Sequence, residues 1–454
     1  MKIMCHVGPW SAGQYPAIAR AISADAEITL ASGHKKFDQT GLSSRYYDFL
    51  DRYQNDGHMV SAGDIDMIKR CRLLRALEPS EAKKHLDCMR FAIAEALDRF
   101  KPDLVFSETI DSFLMDLLYA ECVRRDIRFI GLVPSFVNGY FRVTARGEHH
   151  TLRTPAPEEV QKVLSLLEEK NYHPAFLQDS KQRPCLSATK RWARNLIKPP
   201  YFFVKRAISG ERYNYHYWAT QIVSRQWFHI SPKLNLGDPG WEEKVRAAGK
   251  PIIYVPLQMI PEATVDYWCD SLEAVDYDNT LVRLIESLSD SFHFLIKEHP
   301  NVLGFRNPAI YKRLASLPGV TICPTYINSN RLVELSATLL VWTGTAGFEA
   351  AIRGRPVLAL CNAYYMSGRK FKVISCHVDS GDVAGFLRAQ SGPLTHDEKT
   401  RMVEHLLSGL LPGKYTIDGT WDATNFKHRQ DAQNIGVALA RYACTPAMSE
   451  AALT

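Results

Sequence analysis

The sequence predicts an α/β fold in which two Rossmann-like domains face a central cleft. Short, continuous apolar runs alternate with amphipathic helical patterns in both halves of the chain, as expected for parallel strands covered by helices on both faces. The length of 454 residues exceeds what one compact core needs and suits two domains with a connection. Ligands of such sheets bind beyond the carboxyl ends of the strands, so chemistry is expected there.

The first domain is predicted to span residues 1–225. Its strand-like runs are KIMCHVG, AEITLASG, DLVFSE and FIGLVPS. Helical patterns with apolar residues three and four positions apart are YPAIARAIS, Pro79–Phe100 and DSFLMDLLYAECVRR. A polar, aromatic stretch between Lys35 and Gly63 separates the second strand from the long helix.

The end of this domain has a different composition. A charged helix is predicted near Glu158–Lys170, followed by a basic and aromatic segment at residues 186–215. The cations and rings between residues 190 and 212 could contact anionic lipid headgroups at a membrane surface. They could equally form a linker helix whose aromatic side chains pack on a domain while the cations stay in water. The inter-domain connection is expected here or shortly afterwards.

The second domain is predicted at residues 226–425, where the alternation resumes. Its strand-like runs are FHISP, PIIYVPLQ, FHFLIKEHP, VTICP, LLVWTG and PVLALC. The intervening helical patterns are DNTLVRLIESLSD, AIYKRLASL, RLVELSA and TAGFEAAIRG. A last helix near Asp431–Tyr442, within the segment 426–454, could pack back across the cleft before a flexible tail.

Composition narrows the class of protein. A net charge of +6 permits anionic partners such as nucleotide phosphates, but it falls short of a nucleic-acid-binding signature. The ten cysteines show neither a CxxC pair nor zinc spacing, so we interpret them as reduced core residues and expect no metal site. The amino terminus lacks a signal-peptide pattern, and no apolar run reaches the roughly 18 residues that span a bilayer. We therefore expect a cytoplasmic protein, with a peripheral position on the inner membrane face as an option.

The strongest motif is the turn from Thr343 to Glu349, between the strand LLVW and the next helix. Its small residues Gly344 and Gly347 let the backbone approach a ligand, and the helix start offers free N–H groups to a phosphate. The hydroxyls of Thr343 and Thr345 can donate to phosphate oxygens, and Glu349 can accept from ribose hydroxyls. The alternative is a capped helix after a tight turn, with Thr345 as the cap.

Two further segments follow strand ends in the same domain. Lys297, His299 and Pro300 end the strand HFLI, and the proline favours an extended histidine aimed out of the sheet edge. A histidine there can hydrogen-bond or ion-pair with a phosphate, and the lysine adds a point charge. The alternative is that the His-Pro pair belongs to an ordinary loop, which is the commoner role of a lone His-Pro. In PLQMIPEAT, Gln258 and Glu262 could bind a base, a ribose or a sugar, or could belong to a proline-bounded loop capped by Glu262 and Thr264.

In the first domain, Glu108 and Asp111 follow the strand DLVF. A carboxylate at a strand end can serve as a general base or a nucleophile. An aspartate before an apolar helix is also a routine N-cap, which we favour for Asp111, whereas Glu108 is the better catalytic candidate. The loop HVGPWSAG, with His6, Gly8 and Gly13, could also line the cleft.

Taken together, these segments resemble the capsule polysaccharide biosynthesis family. The order PLQxxPEAT, KEHPNVLGFRNPAIYKRL and LLVWTGTAGFEAAIRGRPVLAL carries the similarity, which covers residues 251–365 well. The first domain is similar only in outline, through stretches such as SETIDSFLMDLLYAE. The family's characterised members include 3-deoxy-manno-octulosonic acid (Kdo) transferases with the two-domain GT-B fold.

The resemblance implies a nucleotide-sugar donor held mainly by the second domain. In related transferases that use cytidine-monophosphate sugars, an HP motif and a Ser/Thr-rich turn hold the donor phosphate. Those roles fall here on His299 and Pro300 and on the turn Thr343–Thr345, with Glu349 near the ribose or base. The family's catalytic residues lie in the first domain and cannot be matched one by one, so Glu108 and Asp111 rest on their position alone.

The resulting hypothesis is a metal-independent glycosyltransferase without a cofactor, acting in bacterial surface polysaccharide synthesis. Its donor would be CMP-Kdo or another CMP-sugar, and its acceptor a glycan or a lipid-linked glycan. Cations and helix-end N–H groups would stabilise the departing nucleotide. The alternatives are a non-hydrolysing nucleotide-sugar epimerase with the same two-domain plan, and a non-catalytic scaffold in a polysaccharide assembly complex.

Overall fold

The computed structural model describes most of the two predicted domains. The described residues are 1–53, 60–169, 172, 174, 193, 197, 200–208, 210–211, 237–299, 302, 306–417 and 421–443. The predicted strand FHISP, Pro300, most of the segment 186–215 and the tail after residue 443 therefore lie outside them.

The first domain is a mostly parallel sheet with helices on both faces. Its strands along the chain are β1 (Lys2–His6), β2 (Glu27–Ala31), β3 (Leu104–Glu108), β4 (Arg128–Pro134) and β5 (Tyr140–Val143). Its helices are α1 (Gln14–Ile22), α2 (Leu42–Arg52), α3 (Ala62–Arg70), α4 (Pro79–Phe100), α5 (Phe113–Arg124) and α6 (Pro157–Glu168). Strands β2, β1, β3 and β4 are neighbours in that order and run parallel, and β5 pairs antiparallel to β4.

The second domain is an all-parallel sheet. Its strands are β6 (Ile252–Pro256), β7 (His293–Lys297), β8 (Val320–Ile322), β9 (Thr338–Val341), β10 (Val357–Ala359) and β11 (Phe371–Val373). Helices around and between them are α7 (Trp241–Ala247), α8 (Ala263–Asp266), α9 (Leu272–Val275), α10 (Tyr277–Leu288), α11 (Pro308–Ser316), α12 (Ser329–Leu335), α13 (Ala346–Ile352), α14 (Ser380–Ala389) and α15 (His396–Ser408). The spatial order β8-β7-β6-β9-β10-β11 is the doubly wound arrangement of dinucleotide-binding domains.

The central strands of both sheets are largely buried because helices cover both faces of each sheet. In β1, Ile3, Met4 and Cys5 are fully buried, and in β7 the whole run His293–Lys297 is buried. A strand with only one buried face would instead alternate apolar and polar residues. The prediction of an α/β fold with two Rossmann-like domains of the GT-B type is confirmed.

The end of the chain returns to the first domain. Strand β12 (Leu410–Pro412) pairs antiparallel with β5, and helix α16 (Phe426–Ala443) packs on α1. The return therefore begins near residue 410, inside the segment that the sequence analysis gave to the second domain. A Cβ atom at Gly436 would lie 2.3 Å from the Cβ of Ala21, so the glycine permits this close helix contact. The predicted last helix thus exists and packs on the first domain.

The two domains also contact each other through aromatic side chains. Trp268 of the second domain donates from its indole nitrogen to the Thr109 hydroxyl of the first, over 3.0 Å. A Cβ atom at Gly147 would lie 2.4 Å from the same indole, so this position needs a glycine. The guanidinium of Arg142 lies over the rings of Trp268 and Tyr364, both in the second domain. These contacts hold the domains close at one side of the cleft.

Two expectations from composition concern cysteines and the membrane. The eight described cysteines are all buried and free, as expected for reduced core residues. Across the described residues, none of the helices combines the length and the apolar character needed to cross a membrane.

Candidate functional site

A pocket opens in the first domain where the order of strands reverses. Strands β1 and β3 are neighbours whose crossovers lead to opposite sides, which creates a crevice beyond their carboxyl ends. The loops after β1 and β3 form its walls, together with residues near β2, α2 and α5. Its polar and aromatic lining comprises His6, Trp10, Ser11, His34, Ser43, Tyr46, Tyr47, Glu108, Asp111, Ser112 and Phe113. The predicted catalytic candidates therefore share one pocket with the loop HVGPWSAG.

Glu108 ends β3 on the wall of this pocket. Its Oε1 accepts a hydrogen bond from the indole nitrogen of Trp10. Burial raises the pKa of Glu108 to about 7, and the neighbouring Asp111 carboxylate adds to this, whereas the Trp10 bond opposes it. A carboxylate with this pKa can accept a proton near neutral pH, as a general base must.

The loop after β1 positions Trp10 against Glu108. A Cβ atom at Gly8 would lie 2.7 Å from the ring of Trp10, so the indole can lie there only over a glycine. His6 is within 3.1 Å of the Ser107 hydroxyl, and burial lowers the pKa of His6 to about 4. The imidazole is thus neutral at physiological pH and contributes no cation to the pocket. Gly13 lies away from this wall, against the ring of Trp421.

Asp111 is not the N-cap of α5, contrary to the favoured interpretation of the sequence. Ser112 takes that position, with its hydroxyl accepting from the backbone N–H of Met115. The Asp111 carboxylate instead accepts from Arg72 at 2.6 Å, and the same guanidinium donates to Asp266 at 2.5 Å. Because Asp266 belongs to the second domain, this pair joins the carboxyl ends of β3 and β6 across the cleft.

Glu262 lies at the same junction. Burial raises its pKa, a bond from the Thr264 hydroxyl at 2.7 Å opposes this, and the Asp111 carboxylate raises it further. Glu262 therefore lies near Asp111 and Arg72 of the first domain. Sequence analysis missed Arg72 and Asp266, which lie 194 positions apart and carry no motif.

The turn after β9 meets the loop after β6 where the second sheet reverses its strand order. With its amide oxygen facing the turn, Gln258 accepts from the N–H groups of Gly344 at 2.8 Å and Thr343 at 3.1 Å. The Thr343 hydroxyl donates to the carbonyl of Thr264 at 2.9 Å. Donors expected to face a phosphate are thus engaged within the protein, by Gln258 and by the carbonyl of Thr264.

Thr345 begins helix α13 without capping it, since its side chain makes no capping hydrogen bond. The interpretation of Thr345 as a side-chain cap is therefore wrong, and the side chain of this half-buried residue makes no capping bond to the helix.

Gly347 lies against Tyr365, whose hydroxyl donates to the Gly344 carbonyl at 2.6 Å. A Cβ atom at Gly347 would come within 2.7 Å of that hydroxyl. Burial raises the pKa of Glu349, and the guanidinium of Arg353 opposes this.

Lys297 ends strand β7, and Glu298 and His299 follow it. Lys297 is buried and donates to the Ser329 hydroxyl at 2.8 Å, which also contacts Tyr254. Burial lowers the pKa of this lysine. Among the described residues the side-chain partner of its ammonium is therefore a neutral hydroxyl, not a carboxylate.

Glu298 has a structural role that the sequence did not reveal. It is buried and accepts from Arg306 at 2.6 Å, from the Tyr311 hydroxyl and from the backbone N–H of His299 at 2.5 Å. Arg306 also donates to the carbonyl of Gln258. The buried pair of Glu298 and Arg306 thus fixes the loops that carry the half-buried His299 and the buried Gln258.

Comparison with known proteins adds three findings. Residues 212–368 match the sequence model of the family described as capsule polysaccharide biosynthesis protein. No curated protein is significantly similar in sequence. Among solved structures, the β-Kdo 2,7 transferase of Thermosulfurimonas dismutans KpsC is similar at 10% identity and a TM-score of 0.36, over 97% of this chain and 99% of that one.

Two other structures illustrate the range of the similarity. The β-Kdo 2,4 transferase of the same KpsC gives 10% identity and a TM-score of 0.32, covering 68% of this chain and 81% of that chain. The UDP-GlcNAc 2-epimerase of Methanocaldococcus jannaschii gives 12% identity and a TM-score of 0.28, covering 90% and 99%. The resemblance to the capsule polysaccharide biosynthesis family is confirmed by the sequence match over residues 212–368.

Proposed function

We propose that this protein is a glycosyltransferase that moves a sugar from a nucleotide-activated donor to a glycan or lipid-linked acceptor. The observation that carries the proposal is Glu108, a carboxylate with a pKa of about 7 on the wall of the pocket between β1 and β3. The capsule family match over residues 212–368 supports sugar chemistry. CMP-Kdo, or another CMP-sugar, is the proposed donor.

The acceptor enters the pocket of the first domain. Trp10, Tyr46 and Tyr47 offer aromatic faces, and the polar groups of Ser11 and His34 can hydrogen-bond sugar hydroxyls. Glu108 takes the proton of the acceptor hydroxyl while the oxygen of that hydroxyl forms a bond to the donor's anomeric carbon. The bond from the anomeric carbon to the donor phosphate breaks, and the nucleotide leaves with its phosphate.

The nucleotide is held by the second domain. Lys297 supplies a buried ammonium, and His299 stands two positions further along the same strand end. The phosphate displaces the Gln258 amide from the N–H groups of Thr343 and Gly344, while Thr345 donates from its hydroxyl and Glu349 accepts from the ribose. Donors aimed at a departing phosphate lower the barrier by stabilising the charge that develops there.

Incubation of CMP-Kdo with the protein and a Kdo-primed glycolipid tests this function. We expect released CMP and an extended acceptor, both formed about 100-fold to 10,000-fold more slowly by Glu108→Gln. Formation of an isomerised sugar nucleotide without acceptor would instead identify an epimerase. Absence of both reactions with CMP-, UDP-, GDP- and dTDP-sugars, and of any stabilisation by these nucleotides, would favour the scaffold alternative.

A further inference from the structure

A cluster of three side chains lies on the second domain, apart from the residues that line the pocket. Glu273 stands on α9, and Cys376 and His377 form the turn after β11. One ligand atom from each of the three lies within 4.8 Å of the others. We propose that Glu273, Cys376 and His377 form a binding site for a divalent transition-metal ion of the zinc type.

The turn that carries two of the ligands is held in place by its buried neighbours. Ile374 and Val378, on either side, are 5% and 8% exposed and belong to the core of the second domain. The backbone N–H of His377 donates to the Ser375 hydroxyl at 3.2 Å. Cys376 and His377 therefore project from a fixed backbone, which reduces the entropy lost when they bind an ion.

The backbone of Glu273 is fixed as well. Its N–H donates to the Ser271 hydroxyl at 3.1 Å, and its carbonyl accepts from the Thr280 hydroxyl at 2.6 Å. The next residue, Ala274, is buried, and its carbonyl accepts from the indole of Trp342 at 3.0 Å. Both ligand-bearing segments thus rest on the same packed core.

The donor atoms suit zinc better than magnesium or calcium. A sulfur, an imidazole nitrogen and a carboxylate oxygen are the ligands of zinc sites, whereas magnesium and calcium take oxygen ligands. The Cys376 thiol donates to Oε2 of Glu273 at 2.6 Å, and Oε1 of the same carboxylate lies 4.0 Å from Nε2 of His377. A cation bound by the Cys376 sulfur, the Glu273 carboxylate and the His377 imidazole replaces the proton of the thiol, and this proton is released to solvent.

The fourth position of a tetrahedral ion faces water. The side chains of His377 and Glu273 are 72% and 54% exposed, so a water molecule or an external ligand can complete the coordination. An ion at this place links the turn after β11 to α9. Helix α9 begins six residues after the end of α8. The predicted role of the ion is to hold the segment that follows Asp266 against the turn after β11.

The test uses untagged full-length protein and Co²⁺, which reports thiolate ligation through a charge-transfer absorption band. We expect one equivalent to bind with that band. Cys376→Ser removes the band, and His377→Ala and Glu273→Gln each lower the Co²⁺ affinity by at least about tenfold. Zn²⁺ should displace Co²⁺ and raise the melting temperature of the wild type but not of Cys376→Ser.

Matched controls are His396→Ala and Glu286→Gln, which remove an exposed histidine and an exposed glutamate elsewhere in the same domain. Both should bind Co²⁺ like the wild type. The proposal is overturned if the wild type shows no charge-transfer band, or if the band persists unchanged in Cys376→Ser. These outcomes do not depend on sugar transfer, so they leave the proposed function untouched.

Discussion

The guanidinium of Arg72, in the first domain, lies 2.5 Å from the carboxylate of Asp266, in the second. Asp266 is 3% exposed and also accepts from Arg75 at 2.8 Å. The other end of the Arg72 guanidinium holds Asp111 beside the pocket. One side chain therefore contacts a carboxylate in each domain, and the Asp111 carboxylate that it holds raises the pKa of Glu262.

We expect Arg72→Ala to lower the free energy of unfolding by about 3 kcal/mol, because it leaves part of the charge of Asp266 buried without its partner. Urea denaturation measures this change. The control is Arg246→Ala, which breaks an exposed pair with Glu242 and should cost less than about 1 kcal/mol. Equal effects of the two substitutions would show that the inter-domain pair contributes no more to the free energy of unfolding than an exposed pair does.

Glu108→Gln should slow sugar transfer by about 100-fold to 10,000-fold, the usual contribution of a general base, while nucleotide binding stays unchanged. Steady-state rates and nucleotide titrations measure the two effects separately. The matched control is Glu81→Gln, which removes an exposed carboxylate on α4, outside the pocket. A fall in rate as large for Glu81→Gln would contradict a specific role for Glu108.

The same carboxyl group sets an expected pH dependence. Its pKa is raised to about 7, and a general base acts when deprotonated, so the transfer rate should rise with pH up to about 7 and then level off. The rate at saturating substrates, measured from pH 5 to pH 9, checks the prediction. A profile that is already flat at pH 5 would mean that another group accepts the proton.

Gln258→Glu should weaken nucleotide binding by at least about tenfold without lowering the melting temperature. A carboxylate oxygen at this position would bind the N–H groups of Thr343 and Gly344 more strongly than the amide does and would repel a phosphate. Titration calorimetry with the nucleotide and thermal melting measure the two effects. Unchanged affinity would show that the phosphate does not use this turn.

Much of the fold follows from local patterns in the sequence. Continuous apolar runs mark the buried parallel strands, and the helices between them have clear periodicity. Helix α2 was not predicted because its buried residues lie within a polar stretch and include a serine and two tyrosines; they are Leu42, Ser43, Tyr46, Tyr47 and Leu50. Strand β11 was not predicted because its residues are half-buried or exposed and form no continuous apolar run.

The site was predictable only in part, for a physical reason. The position of Glu108 follows from the end of an apolar strand, and the pocket confirms that it lies at the expected edge of the sheet. The direction of a hydroxyl such as that of Thr343 depends on a carbonyl 79 positions away, which no local pattern encodes. The pairing of Arg72 with Asp266 depends on how two domains pack.

The most direct measurement is titration calorimetry of CMP into the wild type and into Lys297→Met. Lys297 is a buried ammonium held by Ser329, so its loss should weaken CMP binding at least about tenfold. The exposed Lys312→Met on α11 should bind CMP like the wild type. Absence of CMP binding by the wild type, or equal affinities of all three proteins, would contradict a donor phosphate site at the end of β7.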